Sequence, residues 1–144
     1  LLPERSVTRS ASSKEIAMTI QLNHTIVSAH DKDRSATFLA EMLGLPTPSP
    51  FGPFMTVKAD NDVTLDFMES EGEIPPHHYA FLISEKEFDE VLERIRDRGL
   101  TFWADPHHRQ PGAINTRDGG RGLYFEDPNG HNLEILTRPY GSGP

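Results

Sequence analysis

At 144 residues with a hydrophobic fraction of 35%, the chain suits one domain with a core of its own. Its net charge of −8 argues against a nucleic-acid partner, and no apolar run approaches the roughly 20 residues needed to span a bilayer. The absence of cysteine removes disulfides, thiolate metal sites and thiol nucleophiles, fits a reducing, cytoplasmic setting, and leaves His, Asp and Glu to hold any metal.

Residues 1–18, LLPERSVTRSASSKEIAM, are polar and aperiodic, and they predict a leader or disordered arm, with Met18 reading well as a start. Residues 19–138 predict a single domain of two modules, about 20–69 and 77–138, followed by a tail at 139–144. In the first module residues 20–28 suit a strand. Asp33 or Ser35 can cap a helix that runs to Leu43, with Phe38, Leu39, Met42 and Leu43 on one face and Gly44 closing it. TPSPFGP reads as a turn-rich connection, and 54–59 and 63–69 as a hairpin around Asp60-Asn61-Asp62.

The second module repeats the order. Residues 78–83 alternate as a strand, and Ser84 with Glu87 forms a capping box. Phe88, Val91, Leu92 and Ile95 make the buried stripe of the next helix, which Gly99 ends. A short strand at 100–103 and a polar loop from Asp105 to Gly120 follow. Residues 121–126 and 131–137 then pair around Asp127-Pro128-Asn129-Gly130, a sequence suited to a type I turn. Each half is thus β-α-β-β with room for a further strand, and the fold class is α+β.

The repeat places a histidine at the start of each half, His24 and His78, and an acid in each closing strand, Asp66 and Glu134. Strand alternation sets Asp66 opposite Val63, Leu65 and Phe67, sets Glu134 opposite Leu133 and Ile135, and sets His78 opposite Tyr79, Phe81 and Ile83. His24 is ambiguous, because it shares a face with Leu22 and Ile26. Two histidines and one or two carboxylates suit one divalent ion, Fe(II) first, with Mn(II), Ni(II) or Zn(II) as alternatives. The competing reading is that one histidine packs in the core or at the surface and that the acids are solvated.

LNHTIV with its charged helix and GLP, then HHYAFLI, then GRGLYFEDPNGHNLEIL, closely resembles the vicinal oxygen chelate superfamily over about residues 20–138. That group includes glyoxalase I, extradiol ring-cleaving dioxygenases, fosfomycin-resistance enzymes and bleomycin-binding proteins. The resemblance implies two βαβββ modules whose curved mixed sheets surround a central metal. It implies His24, His78 and Glu134 as ligands, with Asp66 where glyoxalase I has a fourth. It also implies Tyr124, ten residues before Glu134, as a catalytic phenol that contacts substrate, and a homodimer in which His24 of one chain can meet the other two ligands of its partner.

These implications predict a metal-dependent enzyme for a small oxygen-chelating substrate, with a ring-cleaving dioxygenase as the leading reaction. A glyoxalase-type lyase or isomerase is the alternative, and a non-catalytic, bleomycin-resistance-like drug-binding protein is the rival from another class. Ile26, where the fosfomycin thiol transferases usually carry Thr, and DGGRG, where they carry a Ser-rich loop, count against that branch.

Among the other residues, Arg121 can bind an anionic substrate or sit in a solvated loop. Trp103 can wall a substrate pocket or pack in the core. His107 and His108 read as a surface pair near the pocket mouth, His77 as pointing away from His78, and His131 as exposed after its turn.

Overall fold

The computed structural model describes residues 19–143, so the predicted leader at 1–18 lies outside the described residues. The described residues form two four-stranded sheets and two α-helices. The first module runs β1 (His24–Ala29), α1 (Lys32–Leu43), β2 (Ser49–Phe51), β3 (Phe54–Lys58) and β4 (Thr64–Glu69). The second runs β5 (His78–Leu82), α2 (Glu85–Asp97), β6 (Phe102–Trp103), β7 (Gly122–Glu126) and β8 (Asn132–Leu136). Each module is therefore βαβββ. The sheet orders are β1-β4-β3-β2 and β5-β8-β7-β6, with the first pair parallel and the others antiparallel. The expected mixed α+β architecture is the one observed. None of the helices among the described residues is long and apolar enough to cross a membrane.

Local chemistry accounts for the helices. Ser84 caps α2 through a complete capping box with Glu87, and Phe88, Val91, Leu92 and Ile95 are its buried face, both as predicted. The cap of α1 is Asp31 instead of Asp33 or Ser35; its side chain accepts from the Arg34 amide. Ser35 is not free for that role, because it is buried and receives a hydrogen bond from Asn129 across the module boundary. Gly44 ends α1 at φ +68, a left-handed conformation that costs a glycine little. The connection read as TPSPFGP contains an additional edge strand, β2, where Ser49–Phe51 pairs with β3.

Both helices pack on one side of their sheets and share a single hydrophobic core. Val27, Leu39, Val57 and Phe67 of the first module meet Phe88, Ile95, Phe125 and Ile135 of the second in one cluster. Polar contacts lock the boundary. Arg94 donates to the Met42 carbonyl at 3.0 Å and Arg98 pairs with Glu41 at 2.6 Å. The β7–β8 turn reaches into the first module, where the His30 amide donates to Asn129 at 2.9 Å.

His131, expected to be exposed, is 1% exposed and belongs to the same latch. Its Nδ1 accepts from the His77 amide at 3.0 Å and its Nε2 donates to the Ser28 carbonyl at 2.8 Å, which defines the Nε2–H tautomer. Burial by a distant module, invisible in the local sequence, is the reason the expectation failed.

Candidate functional site

The shared core leaves the opposite face of each sheet free of helices, and the candidate residues lie on those faces. On β1, Val27 and Ala29 point into the core, while His24 and Ile26 lie on the alternate, exposed positions. This resolves the ambiguity of His24. On β4, Leu65 and Phe67 are core and Asp66 faces the other way; on β8, Leu133 and Ile135 are core and Glu134 faces the other way.

The two modules match in register. His24 pairs with Thr64 as His78 pairs with Asn132, Ile26 with Asp66 as Ala80 with Glu134, and Thr56 with Asp66 as Tyr124 with Glu134. His24 and His78, Asp66 and Glu134, and Thr56 and Tyr124 are therefore equivalent positions.

Chemically the two faces differ. In the second module His78 Nε2 donates to Glu134 Oε1 at 2.9 Å, and the Tyr124 ring meets the His78 ring edge-on at 5.6 Å. Glu134 and Tyr124 are each 1% exposed. In the first module Asp66, one methylene shorter than Glu134, accepts from the Thr56 hydroxyl at 3.1 Å, and His24 Nδ1 instead binds Asn23 at 2.8 Å. That leaves the lone pair of His24 on Nε2, on an exposed ring. Among the described residues of one chain, no three His, Asp or Glu side chains converge on a point where a metal could sit. His78 and Glu134 come together, and His24 and Asp66 do not join them.

Two residues that the sequence did not single out complete the second face. Arg117 Nη1 donates to the Tyr124 hydroxyl at 3.1 Å and to the Tyr140 hydroxyl at 3.4 Å, and the two hydroxyls are 3.1 Å apart. Tyr140 in turn donates to Glu134 Oε2. The hydrogen bond it donates to Tyr124 is the main reason that the Arg117 guanidinium is held even more firmly protonated than usual. Desolvation of its hydroxyl end, although the ring is largely exposed, followed by the bond to Glu134, pushes the Tyr140 phenol well above its ordinary range. Arg117 opens the short 3₁₀ turn Arg117–Gly119 in its loop, and Tyr140 lies in the segment expected to be a loose tail. Both reach the site through loops, so no strand periodicity announced them.

Arg121 points elsewhere. Its guanidinium pairs with Glu85 at 2.8 Å and Asp89 at 2.9 Å and lies 4.4 Å from the centre of the Phe88 ring, on the helix side of the sheet. Parity carried this signal, since residue 121 shares a face with Leu123 and Phe125, and both are core. The arginine on the open face is Arg117.

Trp103 does lie on that face, because it is the direct cross-strand partner of Tyr124, and it stacks on His108 at 3.7 Å between ring centres. His108 also contacts Asn132 at 2.9 Å, which brings the loop over the sheet beside His78. A separate cleft of about 520 Å³ runs between the β3–β4 hairpin and β5, with His78 on its wall.

A model of the Glyoxalase/Bleomycin resistance protein/Dioxygenase superfamily matches residues 21–135. The chain belongs to this superfamily. Within it, the structure is similar to the oxidase ChaP-H2, with 66% identity, a TM-score of 0.85 and coverage of 88% of this chain and 100% of that one. It is similar to the oxidase ChaP-H1 at 65% identity and a TM-score of 0.84, covering 85% and 99%. The glutathione transferase FosA of Serratia marcescens is 31% identical over 125 residues, covering 82% of this chain and 81% of that protein.

Proposed function

We propose that the chain is a divalent-metal-dependent oxidase or dioxygenase for a small molecule that chelates through two oxygens. We further infer that His78 and Glu134 of one copy and the partner's His24 hold the metal in a homodimer. The observation that carries this reading is the His78–Glu134 pair on an open face, with a matching but solitary His24 in the other module. Two neutral imidazoles and one carboxylate suit Fe(II), with Mn(II), Ni(II) or Zn(II) as alternatives. When bound, the ion supplies Lewis acidity, a template for the chelating substrate and, if iron, a route for electrons to oxygen.

The sheet edges support the dimer. β1 and β5 each end their sheet, and each carries an exposed apolar side chain on the same face as its histidine, Ile26 at 46% and Leu82 at 60% exposure. Uncovered strand edges of this kind are templates for pairing. A second copy laid along them covers the apolar residues and supplies the missing imidazole.

Around the metal the chain's own groups have separable tasks. Tyr124 can turn its buried hydroxyl from Tyr140 to a substrate oxygen as charge develops there. Arg117 supplies positive charge for an ionised oxygen and is absent from the ion pairs of the described residues. Trp103 gives a flat wall. Asp66, short and engaged by Thr56, stays out of the ligand set and leaves a position open for substrate. Oxidase chemistry is favoured over thiol transfer because identity to the two oxidases is about twice that to the glutathione transferase. The pairing of His78 with Glu134 speaks for a metal enzyme over a metal-free drug-binding protein.

Mixing two inactive variants tests the shared site. His24→Ala and Glu134→Ala homodimers are each expected to lose metal and activity. Random mixing after unfolding yields one intact site per heterodimer, so about a quarter of wild-type metal content and activity returns. A site built within one chain gives no recovery, and that result refutes the shared arrangement. Oxygen uptake by anaerobically Fe(II)-loaded protein with catechols, beside glutathione consumption with an epoxide, then separates oxidase from transferase.

A further inference from the structure

The carboxylate of Glu134 has different partners on its two oxygens. His78 engages Oε1 and Tyr140 engages Oε2. We propose that Tyr140 is a positioning residue for the metal-binding carboxylate, delivered by the C-terminal turn; this rests on the reading of Glu134 as a ligand.

Three observations support it. First, the residue is 57% exposed although its hydroxyl is fully engaged. Its ring adds little to the core, so the hydroxyl is the part the fold uses. Second, the hydrogen bonds run in one direction. Arg117 can only donate and an ionised Glu134 can only accept. The order is therefore Arg117 to Tyr124, Tyr124 to Tyr140, and Tyr140 to Oε2. Such a chain polarises each member toward the carboxylate.

Third, the turn that carries Tyr140 is pinned. Ser142 donates its amide to the Pro139 carbonyl at 3.1 Å, and Arg138 donates to the Ser142 carbonyl at 3.1 Å. The Gly143 amide reaches Asp118 at 3.4 Å, in the loop that also carries Arg117. Donor and chain are thus tied to one another before they meet the carboxylate.

The consequence is a fixed mode of binding. With Oε2 taken by Tyr140, Glu134 offers Oε1 to the space it shares with His78 Nε2. Groups that orient a ligating carboxylate in this way commonly change metal affinity about 10–100-fold when removed.

The test compares Co(II) binding by the wild-type protein, Tyr140→Phe and Glu134→Gln, by competition with a fluorescent chelator and by the visible spectrum of the bound ion. Tyr140→Phe is expected to bind Co(II) about 10–100-fold more weakly and with an altered spectrum. Its metal-free form should unfold at nearly the wild-type temperature, a combination that a merely structural tyrosine would not give. Wild-type affinity and spectrum in Tyr140→Phe, while Glu134→Gln loses Co(II), overturns the role of Tyr140 and spares the ligand reading. Retention of Co(II) by Glu134→Gln overturns both.

Discussion

Replacing His131 with leucine tests how the two modules are joined. The ring is 1% exposed and bridges the Ser28 carbonyl of the first module and the His77 amide of the second. Leucine has similar bulk, so the cavity contribution is small. The polar loss is larger. Two net hydrogen bonds contribute about 0.5–1.5 kcal/mol each, and each stranded partner costs roughly 1–3 kcal/mol if water does not reach it.

The expected destabilisation is about 3 kcal/mol, which for a chain of this size lowers Tm by roughly 10 °C. Urea unfolding followed by circular dichroism measures it, with His107→Leu as an exposed control expected to stay within about 0.5 kcal/mol of wild type. A loss below about 1 kcal/mol for His131→Leu, with an unchanged slope in urea, would refute the latch.

The two arginines should separate cleanly. Arg117→Ala is expected to raise KM for an anionic chelating substrate about tenfold or more, through loss of a charge-assisted contact. Arg121→Ala should leave KM within about twofold and cost about 1 kcal/mol of stability, from its contacts with Phe88, Glu85 and Asp89. Steady-state kinetics and thermal unfolding of both variants check this, and a larger KM effect from Arg121 would reverse the assignment. Ser84→Ala should cost about 1 kcal/mol near neutral pH through loss of the α2 cap. The backbone and side chain of Ser84 hold the Glu87 carboxyl below its ordinary range. Its folded pKa is thus lower than its unfolded one. The contribution is complete above the unfolded value and disappears as pH falls through the folded value. The gap between wild type and variant should therefore narrow in acid without closing, because the bond from the Glu87 amide to the Ser84 hydroxyl does not titrate; a gap that widens there contradicts the capping account.

What was legible in the sequence was local. The cap and stripe of α2 need only neighbours three or four residues apart, and both were readable. The faces of β4, β5 and β8 follow from alternation, because one side of each strand is plainly apolar. β1 defeated the same rule, since Ile26 is apolar yet exposed beside His24. Apolar residues on both faces of a strand signal a second surface to be covered, which alternation alone does not distinguish from core.

Asp31, Asp33 and Ser35 were all chemically able to cap α1, and only the burial of Ser35 under the β7–β8 turn shows why one of them was unavailable. Arg117 and Tyr140 arrive from loops, where position carries no parity. Their roles depend on which chain segments cross, a property of the assembled fold.

The shared core has a further consequence for how this protein would behave in a cell or a cuvette. It turns the two candidate half-sites of each chain away from one another, so each chain holds two unlike halves that cannot complete each other. On the shared-site reading, folding alone yields no working centre. Competence then becomes a matter of encounter. Specific activity should fall on dilution while each chain is still fully folded, and a chain with one damaged half remains able to serve through the other.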